Sequence, residues 1–170
     1  MFTCLNWRHS LEQPRKKTIV IVGVPGVGKS TIISNAVQTL KNMGMTVRAV
    51  VFGSIMFEEA KKLGINHRDE LRKLSIDLQQ KLQTKAANYI SSLKESTIIV
   101  DTHLFIKTAS GYYPGLPMNL ILRLKPDRLM LVTANSEEIL KRRKGDNTRT
   151  RDIISDDDIK MDINVSLSII

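Results

Sequence analysis

The segment Gly23-Val-Pro-Gly-Val-Gly-Lys-Ser30 constrains this chain more than any other, because its spacing G-x-x-x-x-G-K-S works only in one structural setting. Its glycines let the backbone fold tightly enough for successive N–H groups to turn inward on an anion. The helix that follows must offer its positive N-terminal end to the same charge. Thr18-Ile-Val-Ile-Val22, just before the loop, is a β-branched run of the kind buried in a parallel sheet. Ser30 to Met43, just after it, reads as a helix: Ile32, Ile33, Ala36, Val37 and Leu40 recur at spacings of three and four, and Gly44 supplies a stop. Strand, loop and helix in that order predict that Gly23, Val24, Pro25, Gly26, Val27, Gly28, Lys29 and Ser30 hold the phosphates of a nucleoside triphosphate. Lys29 is expected to reach the β- and γ-phosphates, and the Ser30 hydroxyl to complete a magnesium shell.

The remaining pattern repeats strand and helix. Val47 to Phe52 reads as a second strand closed by Gly53, and Ser54 as the cap of a short helix ending near Gly64. The polar segment Asn66 to Lys73 precedes a long helix from Ser75 to about Leu93, with Leu78, Leu82, Ala86, Ile90 and Leu93 on one face. Thr97 to Val100 is a third strand ending at Asp101, and Leu129 to Val132 a fourth. Asn135 and Glu138 form a capping pair for a helix through Arg143. Ser155, followed by Asp156, Asp157 and Asp158, starts a last helix carrying Ile159, Ile163, Leu167 and Ile170. Alternation of this kind predicts an α/β fold, a parallel sheet sandwiched by helices. A chain of 170 residues suits one domain, here residues 18–170 behind a loose extension over 1–17.

Several side chains are placed for phosphate chemistry. Asp101 ends a strand where ligands collect in an open α/β sheet, so it is expected to hold Mg²⁺; capping a turn through Thr102 and His103 is the competing role. For His103 a structural and a functional role stay equally open. Lys141, Arg142, Arg143, Lys144, Arg149 and Arg151 cluster around Gly145 and Asp146, a basic helix end joined to a hinge-like loop. Arginine suits phosphoryl transfer because its planar fork pairs with phosphate oxygens and stays charged, although a solvated basic face explains Lys141 and Lys144. Arg68 and Arg72 lie one helical turn apart and are expected either to share a face toward a phosphate or to pair with Asp69 or Glu70. Gly111-Tyr-Tyr-Pro-Gly-Leu-Pro117 forms a stiff loop, suited to stacking a base on Tyr112 or Tyr113 or to plain turning.

A formal charge of +9 suits polyanionic ligands, nucleotides or RNA, and equally a solubilising surface. The single cysteine, Cys4, excludes an intrachain disulfide and a cysteine-based zinc site. No apolar run reaches the roughly 18 residues of a membrane helix, and no apolar stretch follows the early basic residues as a secretory signal needs. The cytoplasm is therefore the expected compartment.

The phosphate loop together with Phe52-Gly-Ser-Ile-Met-Phe-Glu58, Arg68-Asp-Glu-Leu-Arg-Lys-Leu74, Asp101-Thr-His103, Gly111 to Pro117 and Thr148-Arg-Thr-Arg-Asp152 resembles archaeal-type adenylate kinase, a P-loop nucleoside monophosphate kinase. The resemblance covers about residues 18 to 165. It implies ATP + AMP ⇌ 2 ADP with Mg²⁺, with ATP on Gly23 to Thr31 and the metal at Ser30 and Asp101. AMP is implied to lie against Gly53, Ser54, Met56, Arg68, Arg72, His103, Tyr112 and Gly115. Lys29, Arg142, Arg149 and Arg151 are the implied catalytic residues, the arginines belonging to a short lid over about 142–152. A homotrimer is implied as well. The family continues with a further strand and helix, so the chain is expected to end early, leaving a sheet edge unpaired and Ile163 and Leu167 without cover; as a natural full length it would be destabilised or inactive. Two rivals remain: a kinase of the same fold for another small acceptor, and a non-catalytic ATP- or RNA-binding module.

Overall fold

The computed structural model describes residues 15–108, 111–145 and 155–170. Its strands are β1 (Lys17–Val22), β2 (Val47–Val51), β3 (Thr97–Asp101), β4 (Phe105–Thr108), β5 (Gly111–Pro114) and β6 (Arg128–Leu131). Its α-helices are α1 (Lys29–Asn42), α2 (Phe52–Lys61), α3 (Ile76–Ser92), α4 (Met118–Leu124), α5 (Ser136–Lys144) and α6 (Asp156–Leu167).

Four strands form one parallel sheet, as the alternating pattern predicts, and their order is β2-β3-β1-β6. β1 is interior and β-branched throughout its last five residues, with Val20 and Val22 fully buried. Alternate residues of the sheet feed two cores. Val20, Val22, Ile98 and Val100 meet Phe52, Ala86, Ala87, Ile90 and Leu120 on the side of α2, α3 and α4. Ile19, Ile21 and Ile99 meet Ile33, Ala36, Val37 and Leu40 of α1 on the other. A third cluster joins Val24 and Val27 to Ile139 and Ile159, so α5 and α6 pack against the phosphate loop itself.

The strand order places the site. β1 and β3 are neighbours, paired Ile21 to Asp101, yet the chain leaves β1 for β2 on one side and β3 for β6 on the other. Such a reversal opens a crevice at the carboxyl ends of the two strands, where ligands of open α/β sheets bind.

Local differences from the sequence reading have identifiable causes. β2 stops at Val51, and α2 begins at Phe52, because Phe52 is drawn into the core at 2% exposure. Ser54 therefore lies in the first turn of α2 and is not its cap, which is Val51. Asn66 to Lys73 contains a 3-10 helix over Arg68–Lys73. Asn135 does cap α5, accepting from the Glu137 N–H, but Glu138 turns away to pair with Arg142 instead of completing the box. A full reciprocal box forms at α6 between Ser155 and Asp158. Along α6, Ile159 is buried and Ile163 packs beside it, so Ile163 keeps its cover; Leu167, its last residue, and Ile170, beyond its end, are exposed. The antiparallel hairpin β4–β5 and helix α4 add to the elements read from the sequence, and the hairpin takes residues 111–114 out of the expected loop.

Candidate active site

Three parallel strands end on one side of the sheet, and each delivers part of the site there. β1 runs into the loop 23–28, β2 into the first turn of α2, and β3 into Asp101, Thr102 and His103.

In the loop, Gly23 is required sterically: a Cβ there would stand 2.5 Å from the Val132 carbonyl oxygen. Gly28, at φ +102°, supplies the left-handed turn into α1 that other residues resist. Lys29 is 6% exposed, and its Nζ donates to the Gly23 carbonyl at 2.8 Å. The same ammonium lies 3.8 Å from a carboxylate oxygen of Asp101, so a buried cation and a strand-end anion already share the site. Nδ1 of His103 donates to the Gly23 carbonyl at 3.0 Å, which places a proton on Nδ1 because a carbonyl can only accept. His103 thus sits against the phosphate loop. Ser30 and Thr31 open α1 and are exposed.

Two successive arginines of α5 close on the outer side of the loop. Arg142 donates to the Val27 carbonyl at 3.0 Å while holding Glu138 at 2.9 Å. Arg143, buried to 9% exposure, donates through Nε to the Pro25 carbonyl at 2.8 Å. In the sequence Arg143 is one of a basic cluster, with nothing to give it a contact of its own. Ile139, one helical turn earlier and fully buried, was the signal that this arginine faces inward.

A second group surrounds the first turn of α2. Arg68, exposed on the 3-10 helix, donates to the Ser54 hydroxyl at 3.2 Å. Its guanidinium also lies 2.8 Å from where a Cβ on Gly53 would stand, so it lies directly over that glycine. Met56 packs on the core side of α2. Positions 68 and 72 do not share a face: at about three residues per turn, a separation of four leaves them about 120° apart. Gly115 donates its N–H to Leu104 at 2.7 Å, and a Cβ there would stand 2.3 Å from the His103 carbonyl oxygen. Tyr112 packs edge-on against Phe105 and donates its hydroxyl to Asp162 of α6 at 2.6 Å. Burial, reinforced by the Asp162 carboxylate, pushes this phenol up to about 12. Arg149, Arg151 and most of the expected lid lie outside the described residues.

Among the described residues no three His, Cys, Asp or Glu gather as a metal cluster, and no helix is long and apolar enough to cross a membrane. The Asp101 carboxylate stands 3.8 Å from the Lys29 ammonium, and Ser30 follows Lys29 in the first turn of α1. Such a sparse oxygen set fits Mg²⁺, which keeps several waters and takes few protein ligands.

Comparison with known proteins agrees with this architecture. The family model described as an AAA domain matches residues 22–160. A protein of Methanocaldococcus jannaschii named adenylate kinase is 48% identical over 147 residues, spanning 85% of this chain and 77% of that one. Adenylate kinases of Methanoculleus marisnigri and Pyrococcus furiosus are 45% and 44% identical, covering 81% and 89% of this chain and 72% and 78% of theirs. Identity at this level, over more than four fifths of this chain, makes the chain a member of the adenylate kinase family.

Proposed function

We propose that this protein transfers the terminal phosphoryl group of ATP to AMP, reversibly, giving two ADP. The observation that carries the proposal is the Lys29 ammonium, buried and held between Gly23 and Asp101 at the carboxyl ends of β1 and β3. Phosphoryl transfer asks little covalent work of a protein, so a pre-placed cation and inward-facing N–H groups supply much of what is needed.

In this reading Gly23 to Thr31 cradle the ATP phosphates, with Lys29 on the β- and γ-oxygens. Ser30 and Asp101 would hold Mg²⁺, which when bound neutralises charge on the phosphate oxygens. AMP would occupy the side of the site built from Gly53, Ser54, Met56, Arg68 and Arg72, bounded by His103, Tyr112 and Gly115. Arg68, poised over the first turn of α2, is the group best placed to meet the acceptor phosphate. Arg142, with Arg149 and Arg151, would meet the transferring group. The hydrogen bond from Arg142 to Val27 supports its nearness to the donor loop.

Coupled assay of ADP from ATP plus AMP tests the proposal. Activity should require Mg²⁺, prefer AMP to CMP or GMP, and fall by about a hundredfold or more in Lys29→Ala. A higher rate with another acceptor would reject AMP as the substrate, and ATP binding without ADP formation would reject the transfer.

A further inference from the structure

We propose that Arg143 is a positioning residue for triphosphate binding, holding the phosphate loop in its anion-receiving form from the face opposite the ligand. The proposal rests on the reading of Gly23–Ser30 as the ATP site.

Geometry carries it. A trans peptide points its C=O and its N–H in opposite directions. Arg143 fixes the Pro25 carbonyl at 2.8 Å, and the N–H of Gly26, in the same peptide plane, must therefore point away from α5. Arg142, on the exposed side of α5, reaches the Val27 carbonyl one step on. The intervening Val27 N–H is turned back onto Val24 at 3.3 Å. Arg143 thus sets the direction of a glycine amide in a loop whose work is to aim amides at phosphate.

Arg143 is built into this place. A Cβ on Gly26 would stand 3.0 Å from Arg143 Cγ and 3.4 Å from its Nε, so the loop lies flat against the arginine stem. The neighbouring Ile139 belongs to the cluster that includes Val24 and Val27. Burying a guanidinium is costly unless its hydrogen bonds are met, and a residue only needed for packing would be apolar. A loop carbonyl as acceptor also leaves the positive charge behind the phosphate site, where it adds to the attraction for an anion.

Arg142 is exposed and shared with Glu138, which leaves it able to leave the loop. Arg143 is the fixed member of the pair.

The test is calorimetric titration of ATP and, separately, of AMP into wild type, Arg143→Met and Arg143→Lys, with thermal melts of each. Arg143→Met should weaken ATP binding about tenfold, the scale of one hydrogen bond from a charged donor, and leave AMP binding unchanged. Arg143→Lys, which keeps charge and stem, should recover part of the loss and serves alone if the Met variant does not fold. Equal weakening of ATP and AMP, or a lowered melting temperature with ATP affinity intact in either folded variant, would overturn the proposal and leave Arg143 a packing residue. Direct binding is read without turnover, so a wild type that binds ATP yet forms no ADP would reject the kinase reaction while leaving this test standing.

Discussion

Tyr112 donates its hydroxyl to Asp162 across 2.6 Å, and this one bond joins the β4–β5 hairpin to the middle of α6, fifty residues further along the chain. Both elements border the site, the hairpin beside His103 and Gly115 and α6 beside the cluster under the phosphate loop.

The bond makes stability depend on alkaline pH in a defined direction. Burial and the Asp162 carboxylate push the folded phenol up to about 12 from its ordinary value of 10.0, so its contribution is complete below pH 10 and disappears as pH rises toward about 12. Tyr112→Phe should lower the urea midpoint at pH 8 by an amount equivalent to about 1 kcal/mol. The difference from wild type should shrink above pH 10. A tyrosinate absorbance titration should show one late-ionising phenol in wild type that the variant lacks.

Gly53 separates recognition from stability. A methyl group there meets only the end of the Arg68 side chain, at 2.8 Å, and nothing of the backbone outside α2. Alanine also favours a helix over glycine by about 1 kcal/mol. Gly53→Ala should therefore melt at the wild-type temperature or slightly above, while KM for AMP rises several-fold and KM for ATP stays put. Loss of stability, or an equal rise in both constants, would show that Arg68 does not act at the acceptor.

Gly115 should behave in the opposite way. Its Cβ would fall 2.3 Å from the His103 carbonyl, a backbone atom that cannot swing aside, and Gly115 N–H anchors the same stretch at Leu104. Gly115→Ala should cost about 2–3 kcal/mol in a urea melt. At Gly64, where φ is +84° but no atom lies within 4 Å, alanine should cost only the backbone term of about 1 kcal/mol. Similar losses at the two glycines would mean the contact at Gly115 relaxes freely.

The donor half of the site was readable because its physics is local. Glycine spacing, a preceding β-branched strand and a following amphipathic helix all lie between Lys17 and Asn42, and they fold here as they read. Asp101 was readable for a similar reason, as the polar end of an apolar run. Other features depend on distant partners. Residues Phe105 to Pro114 carry turn residues and two tyrosines and no clear alternation, so only their mutual pairing reveals the hairpin. The 3-10 path of Arg68–Lys73 breaks the 3.6-residue spacing assumed for Arg68 and Arg72. Four basic residues in a row at the end of α5 hide which one is buried; the sheet and loop beneath Ile139 choose Arg143.

The carbonyl of Gly23 receives both Lys29 and His103. At 6% exposure Lys29 has given up most of its hydration shell to the fold. On the proposed reading, a polyphosphate in the loop would exchange one set of dry contacts for another, with little water to strip from the ammonium. Folding would then have met the cost of orienting the cation, which a flexible surface lysine would incur at each binding event.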